Sequence, residues 1–142
     1  MSAYSRDFGG IVRELKTPAV VSLPVGIDIP DVTPVQVVAL WDTGATYTVI
    51  GDKVIEALKL KPFDHMDAYG VSGQYKTPVF LVDLLLPNRM MISNLCVSRG
   101  DLVAADMLIG MDVISLGDMG VSNFGKTLFS FRIPSEGEVR VG

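Results

Sequence analysis

One cysteine, one histidine and one tryptophan occur among 142 residues. A lone thiol cannot form an intrachain disulfide. A lone imidazole, His65 in Asp64-His65-Met66-Asp67, is short of the several ligands that a metal centre needs, and reads as part of a solvated loop. Excess positive charge is also missing. Twelve Lys and Arg stand against 16 Asp and Glu, a net charge of −4, so the phosphate-neutralising face of a nucleic-acid binder is not expected. No apolar run approaches the roughly 18 residues of a membrane helix. The opening MSAYSRDFGG lacks the basic-then-apolar pattern of a secretory leader. These absences lead us to expect a cytoplasmic protein with no nucleic-acid or membrane partner. Two ordinary domains do not fit either, since one takes about 100–200 residues. A single domain over 1–142 is expected, with loose ends at 1–10 and 135–142. A chain of this size buries about 68–70% of its unfolded surface and needs no covalent staple.

What is present is apolar and β-rich. Hydrophobic residues make up 49% of the chain and charged ones 20%, which suits a face buried against a partner. Ala19-Val20-Val21-Ser22-Leu23 is a β-branched run ended by Pro24, and Val35 to Trp41 is a near-continuous apolar run. Thr48-Val49-Ile50 reads as a short strand. Val54, Ile55 and Leu58 lie on one face of a helix over Gly51 to Leu60, closed by Pro62. Ala68 to Gly73 looks like a hairpin tip. Strands are expected at Thr77 to Leu86, Met90 to Val97, Met107 to Ile109 and Thr127 to Ile133. Asp112 is placed to cap a very short helix over Val113 to Leu116. The seven methionines read as gap-filling core, and Cys96 in Asn94-Leu95-Cys96-Val97 as a buried, inert thiol. Asp28, Asp31, Asp101 and Asp106 read as turn residues. The class is mainly β, a closed or folded-over small barrel.

One string carries chemistry: Ala39-Leu40-Trp41-Asp42-Thr43-Gly44-Ala45-Thr46. A carboxylate stands where a buried strand turns sharply, and Gly44 lets backbone approach closely. Asp42 could be a structural turn residue. Asp42-Thr43-Gly44-Ala45-Thr46 also fits the Asp-x-Gly-x-Thr phosphate hairpin of the sugar-kinase and actin class, but that fold needs two large lobes. The third reading has four features in order. They are ALWDTGAT running on into Tyr47-Thr48-Val49-Ile50, the Gly-bracketed Tyr69-Gly70-Val71-Ser72-Gly73, MLIGMDVI from Met107 to Ile114, and GKTLFSFRIP from Gly125 to Pro134. Together they resemble the retropepsin-like aspartic proteases, in their bacterial single-lobe form, over about Leu15 to Pro134.

The resemblance implies a single-lobe closed β-barrel with one short and one very short helix. It makes Asp42 the catalytic carboxylate, with Thr43, Gly44 and Ala45 around it. Thr43 would bond across to a partner's loop, and the Gly44 carbonyl would receive substrate backbone. Thr46, Met111 and the flap Tyr69, Gly70, Val71, Ser72 and Gly73 would meet the peptide. Retroviral members carry acidic residues where this chain has Thr46 and Tyr47, and a basic residue and Asn where it has Met111 and Asp112. The Gly51 to Leu60 helix resembles the cellular branch. Such enzymes pair two carboxylates around one water, and this chain has one Asp-Thr-Gly. A homodimer acting on a peptide or protein substrate is therefore implied, joined through both termini and the Asp42 loops, with no metal or organic cofactor. The alternative is a catalytically silent dimer of this fold that binds an extended segment of a partner.

Overall fold

A computed structural model describes residues 2–70 and 73–142. Ten strands and two short helices follow in chain order: β1 (Ser2–Asp7), β2 (Lys16–Ser22), β3 (Val35–Trp41), β4 (Val49–Ile50), α1 (Asp52–Ala57), β5 (Asp64–Gly70), β6 (Gly73–Leu86), β7 (Met90–Arg99), β8 (Met107–Ile109), α2 (Met111–Ile114), β9 (Asp118–Ser122) and β10 (Leu128–Ile133). Six of them close a ring in the order β2-β3-β8-β4-β7-β6, sealed by antiparallel pairing of Val20 to Ser22 with Leu85 to Asp83. The mainly β class, the closed barrel and the two short helices agree with the expectation. Among the described residues no helix is long and apolar enough to cross a membrane.

The ring follows from side-chain alternation. Along β3, Val37, Ala39 and Trp41 turn inward and are buried, while Gln36 and Val38 face out. Val21, Val82, Leu84, Val97, Met107 and Ile109 complete the core from the other strands. One irregularity serves the closure. Ser93 and Asn94 of β7 oppose the single Asp83 of β6, between the pairs Val82–Leu95 and Leu84–Ile92. The buried Asp83 carboxylate accepts the Asn94 N–H at 2.8 Å and the Val25 N–H at 3.1 Å. It thus holds both the bulge and the loop leaving β2.

A second sheet, β1-β10-β9, packs on the barrel through Phe129 and Phe131. Their ring centroids lie 4.9 and 4.8 Å from that of Trp41. The indole N–H donates to Thr17 Oγ1 at 2.9 Å. Trp41 therefore joins the two sheets one residue before Asp42, and fixes where β3 ends.

Several expectations need correction. The lead-in is a strand, since Ser2 to Asp7 pairs antiparallel with Ile133 to Leu128. Its polar alternation hides it, and β10 supplies the apolar partner. The first helix covers Asp52–Ala57 only, because Lys59 takes φ +50° and ends the turn. The second begins at Met111 with Gly110 at its N-cap, so Asp112 lies inside the first turn. Cys96 is exposed on the outer face of β7, not buried. Its thiol is nonetheless pushed up, by partial burial first and then by the charges of Asp112 and Asp64. A thiol held protonated is a poor nucleophile.

Candidate active site

Asp42 leaves the end of β3 half-buried, in a turn whose backbone is tied on both sides. Its N–H donates to the Ile109 carbonyl of β8 at 2.9 Å, and its own carbonyl accepts from Ala45 N–H at 3.2 Å. The Gly44 N–H donates to Asp42 Oδ1 at 2.8 Å. A Cβ at Gly44 would stand 3.2 Å from that oxygen, so a side chain there would crowd the carboxylate. One carboxylate oxygen is thus held by backbone and the head group is fixed in direction. Thr43 and Gly44 are exposed and Ala45 is half-buried.

The loop rests on the start of α2. Met111 N–H donates to the Ala45 carbonyl at 2.8 Å, and Asp112 N–H to the Thr46 carbonyl at 3.1 Å. Gly110 lies directly beneath, where a Cβ would come within 2.8 Å of the Ala45 and Tyr47 carbonyl oxygens. Only a residue without a side chain lets the two segments meet. The buried Thr48 completes the joint. Its N–H donates to Asp112 Oδ2 at 2.9 Å, its hydroxyl donates to Asp112 Oδ1 at 2.7 Å, and the same hydroxyl accepts Gly110 N–H at 3.2 Å. Sequence reasoning reads Thr48 as the start of a strand and Asp112 as a helix cap. No local signal in the sequence marks their pairing, which spans 64 positions.

The structure therefore gathers Asp42, Thr43, Gly44, Ala45, Thr46 and Met111, with Thr46, Tyr47 and Met111 exposed beside the turn. The proposed flap belongs to the β5–β6 hairpin, whose β5 strand lies outside the barrel ring. Tyr69 pairs with Gln74 and Gly70 with Gly73, and a salt bridge of 3.0 Å joins Lys76 to Asp67 across it. Tyr69 is 78% exposed. Val71 and Ser72 lie outside the described residues. No hydrogen bond among the described residues ties this hairpin to the Asp42 turn. A groove of about 610 Å³ between β2, β3 and the turn after β6 includes none of these residues. Among the described residues no three His, Cys, Asp or Glu side chains gather as a metal site.

Comparison with known proteins agrees with this geometry. A family model described as aspartyl protease matches residues 25–113. A search of curated proteins finds no match. Among solved structures, a retropepsin-like aspartic protease from Rickettsia conorii aligns with a TM-score of 0.54 at 16% identity, covering 91% of this chain and 90% of that one. The EIAV protease complexed with the inhibitor HBY-793 aligns with a TM-score of 0.50 at 21% identity, covering 72% of this chain and 86% of that one. The fold is the retropepsin-like one, and the matched segment runs from the loop before β3 through the Asp42 turn to α2. The chain belongs to the aspartyl protease family.

Proposed function

We propose that the chain is a single-domain aspartic endopeptidase that works as a homodimer, with two copies of Asp42 facing each other across a two-fold axis. The observation that carries this reading is the single Asp42 turn, backbone-held and only half-buried, in a barrel of the aspartyl protease family. One carboxylate of the pair takes a proton from a bound water while the other, protonated, polarises the scissile carbonyl. The pair titrates as a unit. The water oxygen adds to the carbonyl carbon, and the proton passes to the leaving nitrogen as the C–N bond breaks. The Gly44 carbonyl would take substrate N–H, Thr43 would bond across to the partner's turn, and Ala45, Thr46 and Met111 would line the cleft floor. Tyr69, Gly70, Val71, Ser72 and Gly73 would close over an extended peptide bound as an added strand.

On this reading partner contacts run through both termini and the Asp42 turns; β1 pairs with β10 of its own chain on one side only. The Ala3 carbonyl on β1 also accepts from Asn88 Nδ2 at 2.7 Å. Strands β1 and β9 are the two edges of the β1-β10-β9 sheet, and neither has a second strand partner among the described residues, which supports addition of a partner strand at this sheet.

Asp42→Asn tests the reading. Asn keeps an acceptor oxygen for the Gly44 N–H but cannot take a proton from water. A general base is worth roughly 10²–10⁴ in rate, and losing both copies should bring cleavage of a diverse peptide library to background, read by mass spectrometry. Unfolding temperature should hold or rise near neutral pH, since two facing carboxylates repel. Wild-type protein that binds extended peptides and cleaves none would establish the silent-dimer alternative.

A further inference from the structure

We infer that Asp112 is a positioning residue for the catalytic turn, acting through Thr48 as a latch between α2 and the Asp42 loop; this rests on the reading of Asp42 as the catalytic carboxylate. Three donors converge on the two oxygens of Asp112. Thr48 N–H reaches Oδ2, while Thr48 O–H and Val113 N–H both reach Oδ1, at 2.9, 2.7 and 3.0 Å. Each of the three is a donor that needs an acceptor, so the position calls for a carboxylate and not an amide. An Asn in one orientation sets its NH₂ against the Thr48 N–H. In the other it sets the NH₂ against the Val113 N–H. Either way a donor faces a donor, and a part-buried N–H loses its partner.

The latch closes the loop at a chosen height. Thr48 is buried and its hydroxyl both donates to Asp112 and accepts from Gly110 N–H. The hydroxyl thus fixes the far end of the segment that starts at Asp42. The near end is fixed by Asp42 N–H on the Ile109 carbonyl. Between them lie the exposed residues Thr43, Gly44, Thr46 and Tyr47, and the segment is held from outside only at the Ala45 and Thr46 carbonyls, which accept the Met111 and Asp112 N–H groups of α2. The latch holds α2 against the loop, so its release would let α2 shift with the Ala45 and Thr46 carbonyls that it carries and tilt the Asp42 turn relative to its partner copy; misplacement of about 1 Å can cost on the order of 10² in rate.

The test uses Asp112→Asn, Thr48→Val and Thr48→Ser in the full chain. Two readouts are taken: peptide cleavage split into kcat and KM, and backbone amide exchange. Asp112→Asn and Thr48→Val should lower kcat by about 10²-fold with KM little changed. Thr48→Ser, which keeps the hydroxyl, should restore turnover to near the wild-type value. Exchange protection should fall at residues 42–48 and 110–113 and hold in β6 and β7. Wild-type turnover and unchanged loop protection in both disruptive variants would overturn the latch. So would loss of protection across the whole barrel that Thr48→Ser shares, which would make the role purely structural. A wild type that cleaves nothing would sink the peptidase reading, while the exchange comparison would still decide the latch.

Discussion

A carboxylate is only as informative as the donors around it, and three aspartates of this chain show the range. Asp42 spends one oxygen on a backbone N–H and, among the described residues, leaves the other without a hydrogen-bond partner, which on the proposed reading is the oxygen that meets the water. Asp83 spends both on backbone N–H groups in the core and holds a bulge. Asp118 is saturated at the surface: it accepts from the Ser135 hydroxyl at 2.6 Å, the Glu136 N–H at 2.9 Å and Arg132 Nε at 2.7 Å. These three, in that order, hold its carboxyl down to about 2 from an ordinary 3.8. A depressed pKa means the folded state binds its proton less readily than the unfolded chain does. The resulting stabilisation is complete above about pH 4 and is lost as pH falls toward 2. Asp118→Asn should therefore flatten the acid limb of the unfolding curve between pH 4 and pH 2. It should also free residues 135–142 at neutral pH, read by circular dichroism and limited proteolysis. An unchanged acid limb would show that the Ser135–Asp118–Arg132 cluster does not couple to folding.

At the level of elements, the β5–β6 hairpin and the Asp42 turn are built on opposite principles. The turn is bolted to β8 and α2 by backbone bonds, whereas the hairpin is tied to the body mainly through the long β6 strand. Gly73 sits at φ +108°, and a Cβ there would meet open space, so the cost of a side chain is conformational and not steric. On the proposed reading, in which this hairpin closes over peptide in a homodimer, Gly73→Val should lower kcat several-fold and leave the dimer intact by sedimentation, because strain beside the hairpin tip hinders closure. Unchanged turnover would place the flap elsewhere. The long apolar strands were legible in the sequence, since β3, β6, β7 and β10 bury alternate or continuous apolar residues. Strand β1 was not, because Ser2, Arg6 and Asp7 carry no apolar period and the strand exists only by pairing with β10. The sharp turn at Asp42 and the close backbone approach at Gly44 were legible from local chemistry. The Thr48–Asp112 pair, 64 residues apart, was not, because nothing local distinguishes a capping Asp from one that holds a distant loop.

On the proposed reading, the whole molecule is half of a site. Its barrel closes on itself, its second sheet is fastened by Trp41, and the one carboxylate set up for chemistry lies beside exposed side chains such as Tyr47 and Met111. Two copies complete it. The most direct measurement co-refolds wild-type chains with an equal amount of Asp42→Asn chains and reads peptide cleavage per wild-type chain. Random pairing places half of the wild-type chains with an inactive partner, so activity should fall to about half of its unmixed value. Activity per wild-type chain that does not change on mixing would contradict the account, because the site would then be complete within one chain.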